Sequence, residues 1–86
     1  MISLTTGSFW RLYYLLPDPV REQARQAYTL FMANLDHPSL QFKKLNGPGH
    51  LWSVRIAGEY RAVCRREGGT VTWLWIGTRQ SFGKEF

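Results

Sequence analysis

Residues 51–77 read LWSVRIAGEYRAVCRREGGTVTWLWIG, and the division of this stretch decides the fold. Runs rich in Val, Ile, Trp and Thr occupy about 51–56, 60–66 and 70–77, separated by Ala57-Gly58-Glu59 and Gly68-Gly69, which is the pattern of strands joined by tight turns. Connections this short force an antiparallel meander. A three-residue first turn sets Ile56 opposite Tyr60, so Trp52, Val54 and Ile56 share a face with Tyr60, Ala62 and Cys64. A two-residue Gly68-Gly69 turn carries that apolar face on into Val71, Trp73 and Trp75. The other face then holds Ser53, Arg55, Arg61, Val63, Arg65, Thr72, Leu74 and Ile76. A two-residue first turn would place Arg61 and Arg65 among Trp52, Val54 and Ile56, and the desolvation of charge in an aromatic core rejects it.

Working back toward the N-terminus, Ile2 and Leu4 alternate with Ser3 and Thr5 as in a short edge strand. Thr6 or Ser8 can cap a helix over about 8–16, whose Phe9, Leu12, Tyr13 and Leu16 form one apolar stripe. Pro17-Asp18-Pro19 ends it and starts another, with Asp18 as the cap and Pro19 in the first turn. In this second helix Val20, Ala24, Ala27, Tyr28, Phe31, Met32 and Leu35 point inward, and Arg21, Glu22, Arg25 and Gln26 face water. His37-Pro38-Ser39-Leu40 breaks the period, His37 serving structure at that terminus, and Phe42–Leu45 with Asn46-Gly47-Pro48-Gly49 lead into the meander. The predicted fold class is α+β: a two-helix hairpin on one face of a small, mainly antiparallel sheet, in one domain over residues 1–86.

At 86 residues the chain has little interior to bury, and its four Trp, four Tyr and five Phe supply the bulk that length withholds. Arg11, Arg21 and Arg25 are matched by Asp18, Glu22 and Asp36, so the entire net charge of +5 lies beyond residue 42. Such a basic half points to a polyanionic partner, nucleic acid above all. The single Cys64 excludes an internal disulfide, and no Cys/His cluster has zinc spacing, so neither a metal nor a small-molecule cofactor is expected. There is no basic leader before an apolar stretch and no apolar run of membrane-spanning length, which predicts a cytoplasmic protein without membrane contact.

The segments HPSLQFKKLNG (37–47), LWSVRI (51–56), EYRAV (59–63) and WLWIG (73–77), in that order, resemble the RelE/ParE superfamily of toxins from bacterial type II toxin-antitoxin pairs, particularly RelE- and HigB-like members. The resemblance covers nearly the whole chain and implies a helical hairpin packed on one face of a curved sheet whose other face is open. It implies a cognate antitoxin as partner. It implies cleavage of messenger RNA on the ribosome by attack of a ribose 2′-hydroxyl on the adjacent phosphate, without a metal. That chemistry needs a base, an acid and cations around a transition state of raised negative charge.

By resemblance, Arg55, Arg61 and Arg79 take the cationic positions, and Ser53 stands where some members have lysine. Relatives with the WIG motif often carry a histidine and then a tyrosine where this chain has Arg79 and Phe82; Phe82 can stack on a base but has no hydroxyl. His50 is the candidate replacement imidazole, and Lys43, Lys44 and Arg65 are candidate RNA contacts, the two lysines pointing opposite ways if extended. The unadorned alternatives are a solvated sheet face for the arginines, an ordinary loop for His50, core roles for Trp52, Trp73 and Trp75, and a buried hydrophobe for Cys64. Two other functions share these motifs: a ParE-like inhibitor of DNA gyrase, and a degenerate toxin that binds RNA or antitoxin without cleaving.

Overall fold

A computed structural model describes residues 1–86. Five strands and three helices follow one another along it: β1 (Ile2–Thr5), α1 (Gly7–Tyr14), α2 (Asp18–Ala33), a 3₁₀ turn (Pro38–Leu40), β2 (Lys43–Lys44), β3 (Leu51–Ala57), β4 (Tyr60–Glu67), β5 (Thr70–Thr78) and α3 (Arg79–Glu85). The sheet order is β1-β5-β4-β3-β2, antiparallel except where β1 runs parallel to β5. The α+β architecture expected from the sequence is present.

Thr6 caps α1, its Oγ1 accepting from Phe9 N at 3.2 Å and donating to Trp73 O at 3.2 Å, which ties the helix start to β5. Phe9, Tyr13, Val20, Ala24, Ala27 and Phe31 press the two helices onto Val54, Ala62, Cys64, Val71, Trp73 and Ile76 of the sheet. Trp73 is the hub, with ring centroids 6.4 Å from Phe9, 5.3 Å from Phe31 and 6.3 Å from Tyr28. At one edge of this layer the Arg66 guanidinium lies 4.8 Å from the Trp52 ring and 5.5 Å from Phe42, covering stacked aromatics with a cation.

The helices depart from the sequence reading in detail. Pro17 occupies the N-cap of α2, so Asp18 falls inside the first turn, where its carboxylate pairs with Arg21. Arg21 is half-buried instead of facing water, because it donates to Leu16 O at 2.8 Å across the hairpin bend. The helix stops at Ala33, short of Leu35, and Tyr28 and Met32 remain 42% and 43% exposed on its flank. His37 accepts from Ser39 N through Nδ1 at 3.2 Å and caps the 3₁₀ turn.

Two bulges reshape the sheet. Between β3 and β4 the turn is the two-residue Gly58-Glu59, with Ala57 opposite Tyr60 and Gly58 at φ +53, so Ile56 does not oppose Tyr60 as expected. The irregularity between Arg55 and Ala57 absorbs Ile56, and Arg55 still pairs with Arg61, Val54 with Ala62 and Trp52 with Cys64. The extra residue cancels the shift in parity that made a two-residue turn look prohibitive. Between β4 and β5, Cys64 pairs with Trp73 but Val63 pairs with Trp75, leaving Leu74 over. Every residue after it changes face. Trp75 therefore lies on the arginine side and Ile76 is buried under the helices, the reverse of the sequence reading.

Trp75 has company there. Helix α3, unexpected from the sequence, is capped by Thr78 and packs Phe82 and Phe86 on the indole at 6.1 and 5.5 Å between centroids. The second face of the sheet is thus partly covered and not open.

Candidate nucleic-acid interface

The second face is ordered in rows across the strands. One row runs Lys43, Ser53, Val63 and Trp75, and the next runs Arg55, Arg61 and Gly77. Gly77 is required by close packing: a Cβ built there would stand 2.7 Å from Cζ2 of Trp75, whose indole leans along β5 over the glycine toward the arginine row. Immediately beyond, Arg79 N donates to Glu59 O at 2.5 Å, which pins the start of α3 to the β3–β4 turn and brings a third arginine to this end of the sheet.

Arg61 is the centre of the cluster. It was expected to be exposed but is only 7% accessible, since Phe82 of α3 places its ring 5.8 Å from the guanidinium. Its Nη2 donates to Gln41 Oε1 at 3.4 Å, and its Nη1 is shielded with no partner. Burial first, then the charges of Arg79 and Arg55, draw its pKa below the ordinary arginine value. It stays a cation at neutral pH, because that ordinary value is so high. A desolvated guanidinium with an unused donor and two cationic neighbours is arranged to receive an anion.

The other residues singled out from sequence divide clearly. Lys43 pairs with Ser53 and so belongs to the arginine face, whereas Lys44 pairs with Trp52 on the opposite one. Arg55 is half-buried and also lines a cleft of about 260 Å³ between α2 and β3, whose polar groups come from Gln23, Gln26 and Ser39. Phe82 both packs on Trp75 and covers Arg61. Arg65 is exposed on the same face, 3.8 Å from Glu67, but four residues along β4 from Arg61, roughly 13 Å at the strand rise. His50 is exposed in the loop before β3 at φ +53, five residues or roughly 16 Å along the strand from Arg55. The structure does not bring His50 to the arginine cluster.

Two members of the site, Gln41 and Trp75, are absent from the sequence reading of it, and a third, Ser53, stands on this face there without a role. Gln41 holds Arg61 from a left-handed backbone position at φ +44, a conformation that nothing in its neighbours announces. Ser53, read from the sequence onto this face at a position where some RelE-like members have lysine, is wholly buried with its hydroxyl unpartnered. Trp75 is hidden by the Leu74 bulge.

Away from this face, an apolar cleft of about 650 Å³ lies between α1 and α2, floored by Phe9, Tyr13, Tyr28 and Trp73 with Arg21 and Arg25 at its sides. Arg25 donates to Tyr13 Oη at 2.7 Å and to Glu22 at 2.5 Å. No three His, Cys, Asp or Glu side chains gather to hold a metal ion, and no helix is long and apolar enough to cross a membrane.

The fold has close counterparts. The chain is similar to the toxin-antitoxin RelB-RelE complex of Methanococcus jannaschii, with TM-score 0.77, 19% identity, and coverage of 96% of this chain and 98% of that one. It is similar to YafQ of E. coli at TM-score 0.76 and 13% identity, covering 93% and 94%. The YoeB/ParE toxin of Agrobacterium tumefaciens aligns at TM-score 0.72 and 21% identity over 91% and 98%. No curated protein matches the sequence. The family model of the ParE-like toxin domain matches residues 18–84, from the first turn of α2 into the last turn of α3, and the chain belongs to that family.

Proposed function

We propose that this protein is the toxin of a type II toxin-antitoxin pair and acts as an endoribonuclease on messenger RNA in the ribosome. The observation that carries the reading is the meeting of Arg55, Arg61 and Arg79 at one end of one sheet face, with Arg61 desolvated and holding a free donor. Cleavage through a 2′-hydroxyl raises the negative charge on phosphorus oxygens, and fixed guanidinium forks stabilise that charge more than they stabilise the ground state. Phe82 offers a ring for a base to stack on beside the phosphate. No imidazole lies in this cluster, and His50 stands apart from it in the loop before β3.

The antitoxin has a separate surface to cover. Several toxins of this fold have been solved with antitoxins, among them RelE with RelB and YafQ with DinJ. The apolar cleft between α1 and α2, extended by exposed Trp10 and Tyr14, is the place we assign to that contact.

A second reading, inhibition of DNA gyrase through protein contacts, is favoured by the ParE-like description of the matching family. Purified ribosomes carrying a defined message separate the two. The proposal expects wild-type protein to cut that message at nucleotide-defined positions and to leave gyrase supercoiling intact. Gyrase inhibition without cleavage would replace it with the second reading.

A further inference from the structure

We propose that Gln41 is a positioning residue, a neutral tether that aims the Arg61 guanidinium without cancelling its charge, an inference that rests on the RNA-cleaving reading above. Gln41 ends the 3₁₀ turn in a left-handed conformation, φ +44 and ψ +46, with its N–H donating to Pro38 O at 3.2 Å. Glycine or asparagine takes such a position at least cost, so a longer side chain there calls for a reason. The backbone is fixed on both sides of it. Leu40 is 1% exposed in the core, and the Phe42 ring stacks on Trp52 at 4.7 Å and meets Phe31 edge-on at 5.1 Å. Gln41 itself is exposed, so its side chain contributes little to packing. What it reaches is Arg61, whose Nη2 donates to Oε1 at 3.4 Å.

The chemistry of the acceptor gives the tether its purpose. Buried arginines ordinarily pair with a carboxylate, because an unpaired charge is costly to desolvate. Here the ion pairs are Arg21–Asp18, Arg25–Glu22 and Arg65–Glu67, and none involves Arg61. The Gln41 amide is the one side-chain acceptor that Arg61 has. A carboxylate in its place would hold the guanidinium equally well but would neutralise it, leaving little for a transition state of raised negative charge. An amide oxygen fixes the plane of the fork, leaves the charge whole and engages only Nη2, so that Nη1 stays unpartnered. Repulsion from Arg55 and Arg79 works to displace the guanidinium, and the tether opposes it. Gln41 thus acts through Arg61 and not on the message itself.

Two substitutions separate this role from a merely structural one, because stability and cleavage should move in opposite directions. Gln41→Gly removes the side chain and relieves the left-handed backbone. It should unfold at the same temperature as wild type or higher, yet cleave a ribosome-bound message about 10- to 100-fold more slowly in single turnover. Gln41→Glu keeps the shape and adds a charge. It should unfold at a higher temperature and cleave about 100-fold more slowly, with the ribosome concentration for half-maximal rate little changed. In nitrogen-15 spectra the Arg61 side-chain resonances should be sharp and separate in wild type and in Gln41→Glu, and averaged by rotation in Gln41→Gly. Cleavage by Gln41→Glu at the wild-type rate, or losses of rate that merely follow losses of thermal stability, would overturn the tether. If wild type cuts no RNA while the Arg61 resonances still depend on Gln41, the tether stands and the RNA-cleaving reading falls.

Discussion

Arg61 and Cys64 sit three residues apart on β4, on opposite faces, and burial acts on them in opposite ways. Desolvation disfavours the charged form of each, lowering the arginine's pKa and raising the thiol's. Arginine has so far to fall that it remains charged, and the outcome is a cation with little water around it. Cys64 is pushed up to about 12 from an ordinary 9.0, so it is a neutral, inert hydrophobe under any physiological condition. The native protein should resist a thiol reagent at pH 8 and react fully in denaturant; fast labelling of the folded chain would show Cys64 to be accessible. Linkage gives the sign for stability. Below the unfolded value the thiol is protonated in both states and its contribution is fully present. Between 9.0 and about 12 only the unfolded chain ionises, so stability falls with rising pH by up to one proton's slope. Urea midpoints measured from pH 8 upward should show this decline, and Cys64→Ala should remove its thiol component.

At the level of elements, β5 and α3 show where sequence reading succeeds and where it stops. The strands were legible because alternation and Gly-bearing turns mark them, and pairing Arg55 with Arg61 followed from refusing to bury charge. Within Trp73-Leu74-Trp75-Ile76 every side chain is apolar, so no polar residue reports which face is which, and the bulge at Leu74 leaves no trace in the pattern. Helix α3 carries Gly83 and only seven residues, too few for propensity to reveal it; its stability comes from Phe82 and Phe86 against the Trp75 that the bulge turned outward. The charged members of the site and the face of Ser53 were therefore nameable from sequence, whereas Trp75 needed the bulge and Gln41 its left-handed backbone position. This linkage makes Gly77 a sensitive position. Gly77→Ala must displace the Trp75 indole, so it should destabilise the fold by roughly 1–3 kcal/mol in denaturant titrations and loosen α3 in hydrogen exchange. Unchanged stability would mean that the indole does not lie where it is described.

For the molecule as a whole, the charge asymmetry of the sequence becomes a division of surfaces. The neutral first half supplies the helical layer and its apolar cleft, and the basic second half supplies the sheet face that holds Lys43, Arg55, Arg61 and Arg65. Binding of single-stranded RNA should accordingly weaken steeply with salt, chiefly through phosphates. Arg65, exposed and only loosely associated with Glu67, should behave as a positioning cation remote from the chemistry. Arg65→Ala should lower the slope of log K against log salt by about 0.7, as read by fluorescence anisotropy, with sequence preference unaltered. An unchanged slope would remove Arg65 from the interface.

In the function proposed above, the desolvated Arg61 on this face drives cleavage of translated messages. Mapping RNA 5′ ends after a brief pulse of expression, with wild type beside Arg61→Ala, tests it most directly. New ends should fall in frame within coding regions for wild type, and the variant should lose about 100- to 1,000-fold of that cutting while remaining folded and bound by antitoxin. Growth arrest with messages intact, or cuts that ignore the reading frame and persist in Arg61→Ala, would contradict it.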